Sequence, residues 1–247
     1  MTTPIFLSPA LPSELLSYIL NHHLYPSTLI ICSSRAEFLA SVVQQIRSAP
    51  HGNTHDADQR ELREGEPPHY HDSVAEGAEL KHALLSSPLY QVATSRHIRV
   101  IYVPTVTHLR AYLSVFSPDE SSVPAPPTFT LTSGRKPHVI LYGFVNLHRD
   151  TSEWSAQGLS NTTSTLVDLV HRLSWGALLI EPRNSACKTA LEELLQEAVP
   201  ILNGGARKWG PDSEEGAWSG RTVEVGRILG RWFCFQRAQW DIGDSHG

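Results

Sequence analysis

The chain has 247 residues, 40% hydrophobic and 8% aromatic, which is enough to bury the core of one domain or slightly more. The formal net charge is -5, and eight acidic residues against two arginines between positions 51 and 80 account for all of it. The rest of the chain is close to neutral, so its charge does not exclude an anionic partner. No apolar run approaches the roughly 20 residues of a membrane span, so we expect no membrane association.

The N-terminus and the cysteines indicate the compartment. Residues 1–5 lack the basic region and the long apolar core of a signal peptide. Cys32, Cys187 and Cys234 are odd in number, far apart and without a CxxC pair, which argues against a disulfide framework or a zinc ribbon. We therefore expect an intracellular, reducing compartment.

The first part of the chain predicts helix, strand and helix, followed by an insertion. Leucines and isoleucines at helical spacing predict a helix over residues 11–22, and the apolar run 28–32 predicts a strand. Ser34 and Glu37 have the spacing of a capping box at the start of the next helix. Residues 48–79 are rich in acids, histidine, proline and glycine without any period, which predicts a disordered insertion.

A strand–helix–strand unit dominates the second part of the chain. Before it, residues 98–103 predict a strand and residues 106–116 an amphipathic helix. Two unbroken apolar runs, 139–145 and 175–180, then flank leucines and valines that recur on one face of a helix. Unbroken runs are typical of strands buried on both faces of a parallel sheet, so residues 136–182 predict a βαβ unit.

The C-terminal part predicts a helix and a hairpin. Residues 191–199 have helical spacing, and two β-like runs follow, 221–225 and 231–235. The glycine-bounded stretch 226–230 between these runs predicts an antiparallel hairpin.

The order of these elements predicts one α/β domain over residues 1–247, with a mostly parallel sheet, the C-terminal hairpin and a flexible tail at 238–247. Over residues 25–47 and 98–237 this order resembles the RecA-like ATPase core, a three-layer fold found in recombinases and their divergent paralogues. In that family the first strand feeds a phosphate loop, GxxxxGK[ST], and a later apolar strand ends in a magnesium-binding aspartate.

The chain departs from that family where nucleotide chemistry takes place. With the strand 28–32 as the first strand, the phosphate loop falls on residues 32–37, which contain no glycine to wrap phosphate and no lysine to reach it. Gly143 stands where the aspartate is expected. The resemblance therefore implies a pseudo-ATPase, and we expect no catalytic residue, no cofactor and no metal site.

Cations and aromatic residues concentrate toward the C-terminus, a combination that suits a phosphate backbone and unstacked bases. The candidate contacts to nucleic acid or to a protein partner are Trp154, Arg207, Lys208, Trp209, Trp218, Arg221, Arg227 and Arg231. Residues 203–237 carry a net charge of only +2, and alternating cations are also typical of a solvated sheet edge.

Three further groups of residues could carry chemistry. His69, His71 and Asp72 could bind a metal, but no apolar period fixes their geometry, so we expect a solvated tract. His148 with a nearby serine such as Ser155 would suit a hydrolase, although no GxSxG motif is present. Glu181 could be a catalytic carboxylate, but without a partner in the sequence we expect a solvated strand end.

The sequence thus favours a non-catalytic RecA-like subunit of a protein complex in homologous recombination and DNA repair. Its expected partners are related RecA-like subunits, as in the Shu-type complexes, with DNA as a possible further partner and the nucleus as the favoured location. The alternatives are an Elongator-type accessory subunit in tRNA modification and an α/β hydrolase.

Overall fold

The computed structural model describes residues 3–22, 25–48, 83–85, 89–119, 123–126, 136–183, 191–202 and 221–242. The predicted insertion lies outside these residues, apart from Ser48 at the end of a helix, and so do the candidate residues Arg207, Lys208, Trp209 and Trp218. Within the described ranges, no helix has both the length and the apolar character needed to cross a bilayer.

A six-stranded sheet, parallel throughout, forms the centre of the fold. Its strands are β1 (Ile5–Ala10), β2 (Ser27–Ile31), β3 (Ile98–Tyr102), β4 (His138–Tyr142), β5 (Gly176–Pro182) and β8 (Cys234–Gln236). Their order across the sheet is β3-β2-β4-β5-β1-β8. A separate two-stranded antiparallel sheet pairs β6 (Ala198–Pro200) with β7 (Thr222–Glu224). The predicted α/β class with a mostly parallel sheet is confirmed.

Helices connect the strands and cover the sheet. The described helices are α1 (Pro12–His22), α2 (Arg35–Ser48), α3 (Leu89–Ser95), α4 (Val106–Val115), α5 (Phe144–His148), α6 (Ala156–Leu173), α7 (Leu191–Gln196), α8 (Val225–Leu229) and α9 (Gln239–Ile242). The capping box predicted before α2 is present, since the Ser34 N–H donates to the Glu37 carboxylate and the Glu37 N–H donates to the Ser34 hydroxyl.

The two faces of the sheet bury separate apolar clusters. On β2, Leu29 and Ile31 point to the cluster formed with α1 and α2, whereas Ile30 points to the cluster formed with α4, α6 and α8. Both faces are therefore covered, which explains why the central strands are unbroken apolar runs in the sequence. The result is a three-layer arrangement of helices, sheet and helices.

The first strand of the fold is β1, which the sequence prediction omitted. It lies inside the sheet, between β5 and β8. Ser8 and Pro9 interrupt its apolar run, and its pairing with β5 shifts register between Leu7 and Ala10, around the proline. Proline has no backbone N–H to donate to a neighbouring strand, so the sequence pattern did not predict a buried strand here.

An antiparallel pair near the C-terminus is confirmed, but the predicted hairpin partners are wrong. β7 pairs with β6, and β8 pairs in parallel with β1 at the edge of the main sheet. The stretch between the two runs forms α8 instead of a hairpin loop. In the predicted tail, residues 239–242 form α9, where the Trp240 indole N–H donates to the Pro9 carbonyl oxygen at 3.0 Å.

Candidate functional site

Open α/β sheets bind ligands beyond the carboxyl ends of their strands, where neighbouring strands send their helices to opposite faces. β2 leads to α2 on one face, whereas its neighbour β4 leads to α5 and α6 on the other. β1 and β5 form a second pair of this kind, because β1 leads to α1 and β5 leads to α7. The carboxyl ends of these four strands are therefore the candidate site.

Gly143 turns the chain from β4 into α5 at this edge. Its φ of 87° lies in the left-handed region, which glycine adopts without strain. Its N–H donates to the Ile180 carbonyl oxygen at 2.9 Å, and a β-carbon on it would lie 3.6 Å from the Cys32 Cβ. The backbone thus favours glycine at position 143, where the resemblance described above led us to expect an aspartate.

Glu181, at the end of β5, is buried beneath this turn. Its side chain is 3% exposed, and its carboxylate accepts the Val145 N–H at 2.7 Å and the Asn146 N–H at 3.1 Å. Burial raises the pKa of Glu181 to about 7, against these hydrogen bonds and the positive charge of Arg149, which lower it. The expectation of a solvated strand end is wrong, because the sequence does not show that α5 covers the carboxylate.

Cys32 follows β2 at the same edge and is also buried. Burial raises the pKa of the Cys32 thiol well above its usual value, and the negative charge of Glu181 raises it further. The thiol is therefore protonated at neutral pH, which disfavours a role as a nucleophile.

The start of α1 is occupied by protein groups. The Leu11 N–H donates to the Glu14 carboxylate at 2.7 Å, and the other oxygen of that carboxylate pairs with the Arg183 guanidinium. Beside them the Tyr142 hydroxyl donates to the Ala10 carbonyl oxygen at 2.9 Å. A helix N-terminus next to an arginine attracts anions, and here the anion is a side chain of the protein itself.

His148 and Ser155 have structural roles. His148 is 0% exposed, with Nδ1 2.8 Å from the Phe144 carbonyl oxygen and Nε2 2.9 Å from the Thr162 hydroxyl. Burial lowers the pKa of His148, which favours the neutral ring. Ser155 is the N-cap of α6, where its hydroxyl accepts the Gly158 N–H at 3.0 Å. A substrate cannot reach either side chain in this conformation.

Arg110 of α4 ties these elements together, a role that sequence spacing could not reveal. Its Nε donates to the Thr162 hydroxyl at 2.8 Å, and its Nη2 donates to the Glu153 carboxylate at 2.6 Å and to the Gly158 carbonyl oxygen at 3.0 Å. The guanidinium holds the pKa of Glu153 below its usual value. One side chain thus fixes the loop after α5 to α4 and α6.

Replacing Arg110 by methionine should lower the free energy of unfolding by about 2 kcal/mol, because three partners lose a charged donor while the apolar stem is kept. Urea unfolding followed by circular dichroism measures the change. The control is Arg172→Met, at the exposed C-terminal end of α6, which should change stability by less than about 0.5 kcal/mol. Equal effects of the two substitutions would contradict the role of Arg110.

Trp154, the predicted anchor for a partner, has contacts within the protein. Its half-buried ring packs against the core, and the Arg149 guanidinium lies 5.8 Å from the ring centroid. Arg149 also pairs with Glu197, just after α7. Only the exposed part of the ring is available to a partner, so a partner contact through Trp154 stays a prediction.

Of the cations predicted as candidate contacts, Arg221, Arg227 and Arg231 are described, and all three are exposed. Arg227 and Arg231 line a cleft of about 630 Å³ between the start of α6, β7 and α8. Arg237, by contrast, pairs with Glu192 of α7. The cleft was not predicted from sequence, because its walls come from distant segments.

The described ranges contain no group of three or more His, Cys, Asp or Glu side chains arranged to hold a metal ion. His69, His71 and Asp72 lie outside those ranges. Comparison with protein-family models and with curated protein sequences finds no match to this chain.

Proposed function

We propose that this chain is a non-catalytic RecA-like subunit of a protein complex that acts in homologous recombination and DNA repair. The observation that carries the proposal is the start of α1, where the carboxylate of Glu14 accepts the Leu11 N–H and pairs with Arg183. A nucleotide phosphate at this helix would have to displace that carboxylate and separate it from Arg183.

The residues after the first two strands support the same proposal. In the RecA-like core the first strand feeds the phosphate loop, and the first strand here is β1 instead of β2. Residues 8–13, which cover the end of β1 and the start of α1, read Ser-Pro-Ala-Leu-Pro-Ser and again contain no glycine and no lysine. With either strand as the reference, the loop lacks the groups that cradle phosphate.

Exposed apolar residues support a role in assembly. Leu39 and Val43 lie one turn apart on α2 and are 44% and 45% exposed. Neighbouring apolar side chains on a surface are typical of protein contact sites. A subunit that binds related subunits would bury such residues.

The proposal predicts that the protein does not turn over ATP. Titration calorimetry with ATP and Mg²⁺ should give no binding with a Kd below about 1 mM, and a phosphate-release assay should stay at the level of buffer. An active RecA-like ATPase measured in parallel serves as the positive control. Tight nucleotide binding or measurable hydrolysis would refute the pseudo-ATPase part of the proposal.

The complex itself is tested by identifying what co-purifies with the endogenous protein. Recombinase paralogues among the partners are expected, and their recovery should fall when Leu39 and Val43 are both replaced by serine. If Elongator subunits co-purify instead, the proposed role changes to an accessory subunit in tRNA modification. Recovery without any stable partner would contradict a role as a complex subunit.

A further inference from the structure

The cleft between α6, β7 and α8 has walls that are polar and positively charged. Gln157 and Ser160 of α6 form one side, and Thr222 of β7 with Arg227 and Arg231 forms the other. Its volume of about 630 Å³ lies within the range of ligand-binding clefts. Gln157 and Ser160 stand on α6, Thr222 on β7 and Arg227 on α8, whereas Arg231 lies in the turn that follows α8.

The positive charge of the cleft comes from its two arginines. Among the described residues, no acidic side chain forms an ion pair with Arg227 or Arg231, and none lines the cleft. Glu224 is the nearest acid in the sequence, on β7, and it is not part of the lining. Two guanidinium groups without counter-charges in the described part of the chain make a locally positive surface on a chain whose net charge is negative.

Other groups at the cleft suit nucleic acid better than an acidic peptide. The hydroxyls of Ser160 and Thr222 can donate to phosphate oxygens alongside the arginines. Trp232 does not line the cleft itself, but it directly follows Arg231 in the sequence and is 36% exposed, so part of its ring is open to stacking by an unpaired base of a strand that leaves the cleft. Acidic peptides offer carboxylates but no base to stack, so they would leave the indole unused.

We propose that this cleft binds the phosphate backbone of single-stranded nucleic acid, with Arg227 and Arg231 contacting neighbouring phosphates and Trp232 stacking on a base. The inference rests on the proposed function in taking the protein to be a repair subunit, and it names the ligand of that subunit. Binding of this kind requires no nucleotide hydrolysis. It is therefore compatible with the ion pair of Glu14 and Arg183 at the carboxyl ends of the strands.

Fluorescence anisotropy with a fluorescein-labelled oligothymidine of about 20 nucleotides tests the inference on the full chain. The variant R227A/R231A should bind about tenfold or more weakly at about 0.1 M salt. Because each phosphate contact on a single strand contributes about 0.7 to the slope of log affinity against log salt, the slope should fall by about 1.4. Trp232→Ala should weaken binding with no change of this slope.

The matched control is R47A/R172A, which removes two exposed arginines at the ends of α2 and α6, away from the cleft. It has the same net charge as R227A/R231A, so it should keep wild-type affinity and salt slope. The inference is overturned if the wild type does not bind the oligonucleotide, or if both double variants lose affinity equally. It is also overturned if a labelled oligoglutamate peptide binds the cleft more tightly than the oligonucleotide.

Failure of this inference can be separated from failure of the proposed function. If R227A/R231A still co-purifies with recombinase paralogues while the wild type shows no binding of the oligonucleotide, the subunit role stands and the cleft assignment falls. If the oligonucleotide binds as predicted but no partner co-purifies, the cleft assignment stands and the subunit role falls.

Discussion

Replacing Gly158 by alanine is expected to lower the free energy of unfolding by about 3 kcal/mol. In an exposed helix interior the same change stabilises by up to about 1 kcal/mol, because alanine is the better helix former. Gly158 lies in the first turn of α6, where a β-carbon would be 2.1 Å from the Glu153 carbonyl oxygen. That oxygen belongs to the backbone and cannot rotate away, so the clash exceeds the gain in helix propensity.

Moving residue 153 to relieve the clash has a further cost, because Glu153 also binds Arg110. Urea unfolding with circular dichroism measures the stability of Gly158→Ala against the wild type. The control is Asn161→Ala, an exposed position three residues along the same helix, which should change stability by less than about 0.5 kcal/mol. A Gly158→Ala protein as stable as the wild type would show that the close approach of the loop to α6 does not exist in solution.

The central strands were predictable because a strand buried on both faces is an unbroken apolar run in the sequence. The runs that became β4 and β5 are unbroken and apolar, since helices cover each side of the sheet. The helix between them was predicted from its apolar face, although α6 begins at Ala156, well before the apolar spacing makes it visible. The first half of α6 follows the N-cap and contains residues that line the cleft, most of which are polar, so its apolar spacing is too weak to predict a helix there.

The pairing of short strands was not predictable, because it depends on contacts between distant segments. β7 and β8 are three residues each, too short for local spacing to fix a partner. β8 lies at the edge of the main sheet because it pairs with β1, more than 220 residues earlier in the chain. The Cys234 N–H donates to the Pro4 carbonyl oxygen at the start of this pairing. The glycines around α8 suggested a hairpin loop, whereas in the structure this stretch is a helix that packs Val225, Ile228 and Leu229 into the core.

The sequence predicted where in the fold the candidate site lies, but it did not predict the contacts between its side chains. The sequence alone shows that residues 32–37 lack the glycines and the lysine, and position 143 the aspartate, that the resemblance to the RecA-like core led us to expect. That Glu14 and Arg183 pair across 169 residues depends on β1 and β5 being neighbours in the sheet, which the sequence did not indicate. Glu181 was expected to be solvated because the sequence did not indicate α5, which places two backbone N–H groups on its carboxylate.

Glu181 should make the stability of the protein depend on pH. Burial raises its pKa from the usual 4.5 to about 7 in the folded state, so the folded protein retains a proton that the unfolded chain has lost. The stabilisation from this group is fully present below about pH 4.5 and is lost as the pH rises through about 7. A difference of about 2.5 pKa units corresponds to a decline of up to about 3 kcal/mol in unfolding free energy over that window.

Glu181→Gln should remove this decline. At a pH of about 8 the substitution ends the cost of burying a charge, but it leaves one of the two N–H groups without an acceptor, at about 1–3 kcal/mol. These effects oppose each other, so the slope against pH is diagnostic and the absolute stability is not. His148, whose pKa burial lowers, changes stability in the opposite direction, but it is common to both proteins and cancels in their difference.

The measurement is urea unfolding of the wild type and of Glu181→Gln at several pH values between about 4.5 and 8, plotted as the difference between the two proteins. That difference should change steadily in favour of the variant as the pH rises, because only the wild type must ionise a buried carboxyl. The matched control is Glu193→Gln on α7, which replaces an exposed carboxylate by the same amide, and the slope for Glu181→Gln is compared with the slope for this control. A Glu181→Gln curve no steeper than the control would mean that water reaches Glu181 and that the turn from β4 into α5 is open in solution.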